Sequence, residues 1–247
     1  MERKGKEIKS QRFLDGFLTG LRSAVPLANE QIGVMMKLVV SMELPMRNFL
    51  DLGCGEGLLS AAILEQYPNA QGVLLDFSEP MLDSAREKLR RYSTSLVFVH
   101  SDYSNPRWVD SVKAGAPFDV VVSGFSVHHQ PDERKKSLYL EVYDLLRAGG
   151  MFINLDQVSP RTKWIESIWR SYFVDHLHEV SIKSGSDKSR EQISSEFHSD
   201  LDRRSSKLTP VETQCEWLRE IGFDDVDCYF KVFESSIFGG RRPRERS

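Results

Sequence analysis

The chain of 247 residues carries only three cysteines, Cys54, Cys215 and Cys228, and none of them stands in a CxxC pair. This excludes a thiolate zinc centre and a disulfide framework as organising devices, and it fits a reducing, cytoplasmic setting. Long apolar runs are also missing. None approaches the roughly 18 residues of a bilayer-spanning helix, and the start, "MERKGKEIKSQRFLDGF", lacks the apolar centre of a secretory signal. A soluble intracellular protein with no membrane partner is expected. Charge of one sign is scarce too: 33 Lys and Arg against 36 Asp and Glu leave a formal net charge of -3. With no global attraction to nucleic acid or anionic lipid, a small substrate is favoured.

What is present is a repeating order of strand and helix. Hydrophobic residues make up 40% of the chain, enough for one sizeable core. From Phe49 onward short apolar runs alternate with amphipathic ones, the pattern of a parallel sheet covered by helices. "RNFLDL" reads as a first strand and "GLLSAAILEQY" as a helix stopped by Pro68. "AQGVLLDF" makes a second strand ending at Asp76, and Ser78 is a good N-cap for the helix through "MLDSAREKLRRY". "SLVFVHSD" and "PFDVVVSG" make strands three and four, and "MFINLDQV" follows a helix that Gly149 and Gly150 are expected to stop.

The C-terminal third departs from this order, because "TPVETQCEWLREIGF" is a helix followed by "DVDCYFKVF" and "SSIFGG", close enough to form a hairpin. The fold class expected is α/β: a Rossmann-like seven-stranded sheet, mostly parallel with a C-terminal antiparallel hairpin, helices on both faces.

The chain then divides into an N-terminal helical cap (1–46), a core (47–158), a helical and polar insertion (159–208), a helix and hairpin completing the same sheet (209–240) and a basic tail (241–247). Ile165, Ile168, Trp169, Tyr172 and Phe173 recur at helical spacing in the insertion. One reading makes it a core-packed helix with a surface excursion; the other makes it a lid over the open end of the sheet, where ligands of parallel sheets bind. "RRPRER" reads as a solvated tail, with RNA contact as the alternative.

"LDLGCGEGLLS", residues 50–60, is a glycine turn between strand and helix. A dinucleotide fingerprint G-x-G-x-x-G would need a third glycine at position 58, which is Leu58. The spacing is instead G-x-G-x-G behind Asp51. An acid at the mouth of the turn repels a pyrophosphate and suits a ligand bearing an ammonium group.

These residues, and the order of motifs after them, resemble class I S-adenosylmethionine-dependent methyltransferases over roughly residues 45–158. The resemblance implies S-adenosyl-L-methionine as cofactor. Gly53, Cys54 and Gly55 would pass under its methionine and ribose portion, and Asp51 would reach its amino group. Asp76, about 23 residues past Gly53, would accept from the ribose hydroxyls, with Phe77, Ser78 and Met81 beside the adenosine. Asp102 would meet the adenine amino group, with Tyr103 walling the ring, although "SDYSNP" alone reads as an Asx turn. Ser123, Gly124 and Phe125 would lie near the sulfonium, where an aromatic face suits positive charge.

His128 and His129 follow on the same loop. Their adjacency is not metal-ligand spacing and no metal site is expected; they are either structural or proton-handling catalytic residues. Methyl transfer to a small-molecule acceptor is the activity implied, and it demands mainly alignment and exclusion of water. The absence of a D/N-P-P-Y/F or Pro-Cys motif after strand four disfavours nucleobase methylation.

"RSAVP", the polar insertion and the C-terminal helix and hairpin are similar to the carboxy-S-adenosylmethionine synthase family, which uses prephenate and serves tRNA wobble uridine modification. That similarity would call on Arg190, Arg203 or Arg204 to hold a carboxylate. tRNA as partner draws no support from the net charge, and a homodimer is compatible with the sequence. A catalytically silent S-adenosylmethionine-binding protein and, against Leu58, a nicotinamide oxidoreductase complete the alternatives.

Overall fold

The structure, a computed structural model, describes residues 25–42, 45–199 and 206–244. Strands β1 (Asn48–Leu52), β2 (Gln71–Asp76), β3 (Leu96–His100), β4 (Phe118–Gly124), β5 (Leu146–Gln157), β6 (Asp224–Val232) and β7 (Ser235–Arg241) form one seven-stranded sheet in the order β3-β2-β1-β4-β5-β7-β6. The first five strands run parallel, and β7 pairs antiparallel with both β5 and β6. This is the expected class. The order reverses on either side of β1, so β1 and β4 diverge at their carboxyl ends into loops on opposite sides, which opens a crevice there.

Helices α1 (Ala28–Ser41), α2 (Leu58–Gln66) and α3 (Glu79–Lys88) cover one face; α4 (Trp108–Val112), α5 (Asp132–Leu145) and α8 (Val211–Ile221) cover the other. Period-two alternation makes the two cores. Val120 and Val122 of β4 face one of them and Val121 the other, which is why "FDVVVSG" is apolar throughout and wholly buried. Each such side chain contributes about 1.5–3 kcal/mol by leaving water.

Helix α1 is amphipathic and buries Ile32, Met35, Met36 and Val39 in the first core. Most of the expected N-terminal cap, residues 1–24 and 43–44, lies outside the described residues.

The insertion holds α6 (Lys163–Lys183) and α7 (Arg190–Ser199). They share a small core of their own, Trp169, Phe173, Val174, Ile193 and Phe197, joined to the β6–β7 turn by the Trp169 and Phe233 rings at 6.0 Å.

Four local expectations are corrected. Gly149 and Gly150 do not stop a helix: α5 ends at Leu145 and the pair lies inside β5. Gly149 has φ 78°, and a Cβ on Gly150 would meet three carbonyl oxygens at 3.0–3.1 Å, so the glycines serve an irregular strand start. Asp102 does not end β3, which stops two residues earlier at His100. Ser78 occupies the N-cap position of α3 without a side-chain capping bond. The basic tail is partly structural: Arg241 is the last residue of β7, and Arg242 Nη1 donates to the carbonyls of Tyr143 and Leu146 at the end of α5. Residues 245–247 lie outside the described residues.

Candidate functional site

The glycine turn after β1 is set by backbone geometry. Gly53, Gly55 and Gly57 all have positive φ (69°, 52° and 81°), a region that side chains disfavour. The N–H groups of Gly53 and Cys54 both donate to the Leu75 carbonyl, at 2.8 and 2.9 Å, tying the turn to the end of β2. A Cβ on Gly53 would lie 2.0 Å from Ser126 Oγ and 3.5 Å from Tyr103 Cε1. The space beside the turn is therefore walled by residues from the ends of β3 and β4, and Tyr103 and Ser126 are joined there by a 2.6 Å hydrogen bond.

Asp76, at the end of β2, is 6% exposed. Its Oδ2 accepts from the Gly55 N–H at 2.7 Å and its Oδ1 from the Ser78 N–H at 2.9 Å. A carboxylate has about four acceptor positions, so each oxygen keeps one for a further donor. Phe77 next to it is 70% exposed, an aromatic face left open at the strand ends, and Met81 is half-buried on the first turn of α3.

Asp51 is buried and turned toward α2: its Oδ2 accepts from Ser60 N–H at 3.1 Å and Ser60 Oγ at 2.6 Å. Asp102 forms the Asx turn, accepting from Ser104 N–H and Ser104 Oγ, both at 2.7 Å. Ser123 donates to the Leu52 carbonyl at 2.7 Å, bracing β4 against β1. Phe125, at the unusual φ of 53°, follows Gly124, and its N–H donates to Leu155 O at 2.7 Å. The Cys54 thiol is pushed well above its ordinary range, by burial first and by the Asp51 and Asp76 charges second.

The structure thus gathers Gly53, Gly55, Asp76, Ser78 and Tyr103 around one crevice, with Phe77 at its rim. It fits the nucleoside end of a cofactor by two features: a glycine turn held at positive φ with open space beside Gly55, and a buried carboxylate with spare acceptor positions.

Sequence reasoning missed Asp156. It lies near the end of β5, 2% exposed, and its two oxygens bracket His128: Oδ1 is 2.5 Å from Nδ1, and Oδ2 accepts from the His128 N–H at 2.9 Å. The signal was available, since Asp156 is a lone acid in the apolar run "FINLDQV". The rings of the adjacent His128 and His129 lie with centroids 4.0 Å apart and planes tilted by 44°.

The segment returning from the insertion is fastened here. Lys207 N–H donates to His128 O at 2.8 Å, and Ser159 N–H to Thr209 O at 3.2 Å. The fully buried Lys135 Nζ donates to Lys207 O, to Thr209 Oγ1 at 2.6 Å and to Asp132 at 3.2 Å. A cavity of about 560 Å³ begins at Ser159, three residues past Asp156, and runs between Thr162, Arg170, Phe197 and Leu208. Arg190 is not in that lining. It donates to Asp175 at 2.6 Å and Ser171 at 3.0 Å on the exposed side of α6. Arg203 and Arg204 lie outside the described residues. Among the described residues no cluster of metal-ligating side chains is found, and no helix is long and apolar enough to cross a membrane.

The strand order, the glycine turn and the acid ending β2 define a class I S-adenosylmethionine-dependent methyltransferase fold. Residues 49–150 match the model of a methyltransferase domain family, and S-adenosyl-L-methionine is the cofactor of this class.

Malonyl-[acyl-carrier protein] O-methyltransferase 1 of Ilyobacter polytropus is 33% identical over 103 residues, 42% of this chain and 35% of that protein. The match therefore spans about a third of that relative. Carboxy-S-adenosyl-L-methionine synthase of Nautilia profundicola is 20% identical over 85% of this chain and 84% of its own length. Human N-acetylserotonin methyltransferase, solved in complex with S-adenosylmethionine, shares the fold at a TM-score of 0.56 and 14% identity, over 90% of this chain and 54% of that one.

Proposed function

We propose that this chain transfers a methyl group from S-adenosylmethionine to a small-molecule acceptor in the cytoplasm. The observation that carries the reading is at the ends of β1 and β2, where the positive-φ glycine turn is bonded through the Gly55 N–H to the buried Asp76 carboxylate at 2.7 Å. Gly53, Cys54 and Gly55 would hold the methionine and ribose portion, Asp51 acting from behind the turn and Asp76 on the ribose. Phe77, Ser78 and Met81 would flank the adenosine, Asp102 and Tyr103 the adenine, and Ser123, Gly124 and Phe125 the sulfonium side. When bound, the cofactor supplies an electrophilic methyl group. The residues around it hold the acceptor in line and exclude water. The acceptor is assigned to the cavity between Ser159, Arg170, Phe197 and Leu208, with α6 and α7 as its lid. Mass spectrometry of the protein as purified tests the reading: a retained S-adenosyl ligand, and release of S-adenosylhomocysteine on turnover, are expected. Binding without any release would leave the silent-binder reading standing.

A second reading, a carboxy-S-adenosylmethionine synthase-like enzyme, is favoured by the length of the match to that synthase and disfavoured by the outward engagement of Arg190 with Asp175. Incubation with prephenate and S-adenosylmethionine decides it, since a product heavier by one carboxylate is required.

A further inference from the structure

We infer that the cavity at the insertion takes a methyl acceptor bearing an anionic group, a carboxylate or a phosphate, and that Arg170 of α6 holds that group. The inference rests on the methyltransferase reading above and adds to it the chemical class of the acceptor.

Arg170 lines the cavity and is only partly engaged by the chain itself. A guanidinium offers N–H donors on Nε, Nη1 and Nη2. Glu166 Oε1, one helical turn earlier, accepts from Nη2. Nε is buried and has no hydrogen-bond partner among the described residues, and none of them accepts from Nη1. A buried N–H without an acceptor is costly, and an arginine head with open donors matches the paired oxygens of a carboxylate or phosphate. The Arg170 side chain is 43% exposed, so its head is accessible to a ligand.

The other charges in the lining favour the same end. Arg161 and Lys163 join Arg170, against Glu166 and Glu234. Glu166 is engaged by Arg170, and Arg161 by Glu212 at 3.2 Å, which leaves Lys163 without an ion-pair partner among the described residues. The first turn of α6 adds to this. Thr162 Oγ1 accepts from the Ile165 N–H at 3.2 Å, whereas the N–H groups of Lys163 and Trp164 have no acceptor among the described residues, and the amino end of a helix favours negative charge. Glu234 lies in the β6–β7 turn and is 1% exposed. An acid there disfavours an anion on that side, which sets the anionic group at α6.

The rest of the lining fits an apolar body. Phe197 of α7 and Leu208 of the returning segment both belong to it, and Phe197 is stacked on Phe173 with centroids 4.9 Å apart and planes at 19°. The volume of about 560 Å³ lies within the range of small-molecule sites, about 300–1,000 Å³. A neutral acceptor would leave the open Arg170 donors unmatched, and a cationic one would add repulsion from Arg170 and Lys163. Arg190 has no part in this, since it is engaged with Asp175 on the exposed side of α6. The group held by Arg170 is the acceptor's own and is not carried on the cofactor.

The test uses the full chain labelled with 15N-arginine and saturated with S-adenosylhomocysteine. The Arg170 Nε–H resonance is identified by its absence in Arg170→Lys. Benzoate, phenyl phosphate, benzyl alcohol and benzylamine are titrated at constant ionic strength. Benzoate or phenyl phosphate is expected to move the resonance saturably, and the tighter of the two tells carboxylate from phosphate. Benzyl alcohol and benzylamine are expected to leave it in place. Arg170→Gln should weaken binding of that anion about tenfold or more, read from the anion's own ring-proton signals. The thermal midpoint shows whether this variant is folded, and the wild-type titration decides alone if it is not. No saturable shift with either anion overturns the proposal, as does an equal shift with benzyl alcohol or benzylamine, or an anion affinity unchanged in folded Arg170→Gln. Calorimetry separates the two levels: absence of S-adenosylmethionine binding in the wild type would defeat the methyltransferase reading itself, whereas cofactor binding with no anion response defeats this inference alone.

Discussion

Gly53 and Ser126 approach so closely that a Cβ on the first would stand 2.0 Å from Oγ of the second and 2.7 Å from its Cβ. Gly53→Ala is therefore expected to push the β4 loop aside or distort the turn, and to abolish measurable S-adenosylmethionine binding by calorimetry. Gly55→Ala is the comparison. It shares the positive φ but meets nothing within 4 Å, so only the left-handed strain of about 1–2 kcal/mol is expected. Equal loss in the two variants would refute the role given to close packing.

Asp76→Ala should weaken S-adenosylmethionine binding tenfold or more, about 1.4 kcal/mol. It removes the acceptor proposed for ribose hydroxyls and also the one that holds the Gly55 and Ser78 N–H groups. Unchanged affinity would sink the assignment. Phe77→Ser, at a position already 70% exposed, should lower affinity while leaving the thermal midpoint where it was.

Lys135 gives a pH signature. Burial pulls its ammonium below the ordinary lysine range, ahead of the opposing Asp132 contact. Between the folded value and the unfolded value of about 10.4, the unfolded chain binds more protons, so stability contributed through this group rises with pH and levels off above 10.4. Lys135→Met removes the donor to Lys207 O and Thr209 Oγ1 and should cost about 1–3 kcal/mol. In urea unfolding the gap between wild type and variant should widen from pH 8 toward pH 10.5; a gap that narrows would contradict the burial argument.

All three thiols are held above their ordinary range by burial, Cys215 at about 12. Because the thiolate is the reactive form, iodoacetamide at pH 8 should label the folded protein slowly, Cys54 slowest of all. Peptide mapping with and without denaturant reads this directly. Rapid labelling of Cys54 in the native protein would show that the glycine turn opens in solution.

The sequence by itself determined the sheet, because β4 must alternate Val120 and Val122 against Val121 whichever helices cover it, and it determined the glycine turn through a spacing that Leu58 breaks. It also placed Asp76, since an acid closing an apolar strand is a local signal. Tertiary structure decided what depends on residues far apart in the chain. Asp156 meets His128 across 28 positions only because β4 and β5 are neighbours in register, and Ser126 limits Gly53 only because the loops after β1 and β4 converge. The Gly149–Gly150 pair was misread for the same reason: two glycines after a helix look like a stop until the strand beside them shows how little room a side chain would have. Local pattern sets each element. The distances between their ends, which make a site, are set by how the strands are ordered.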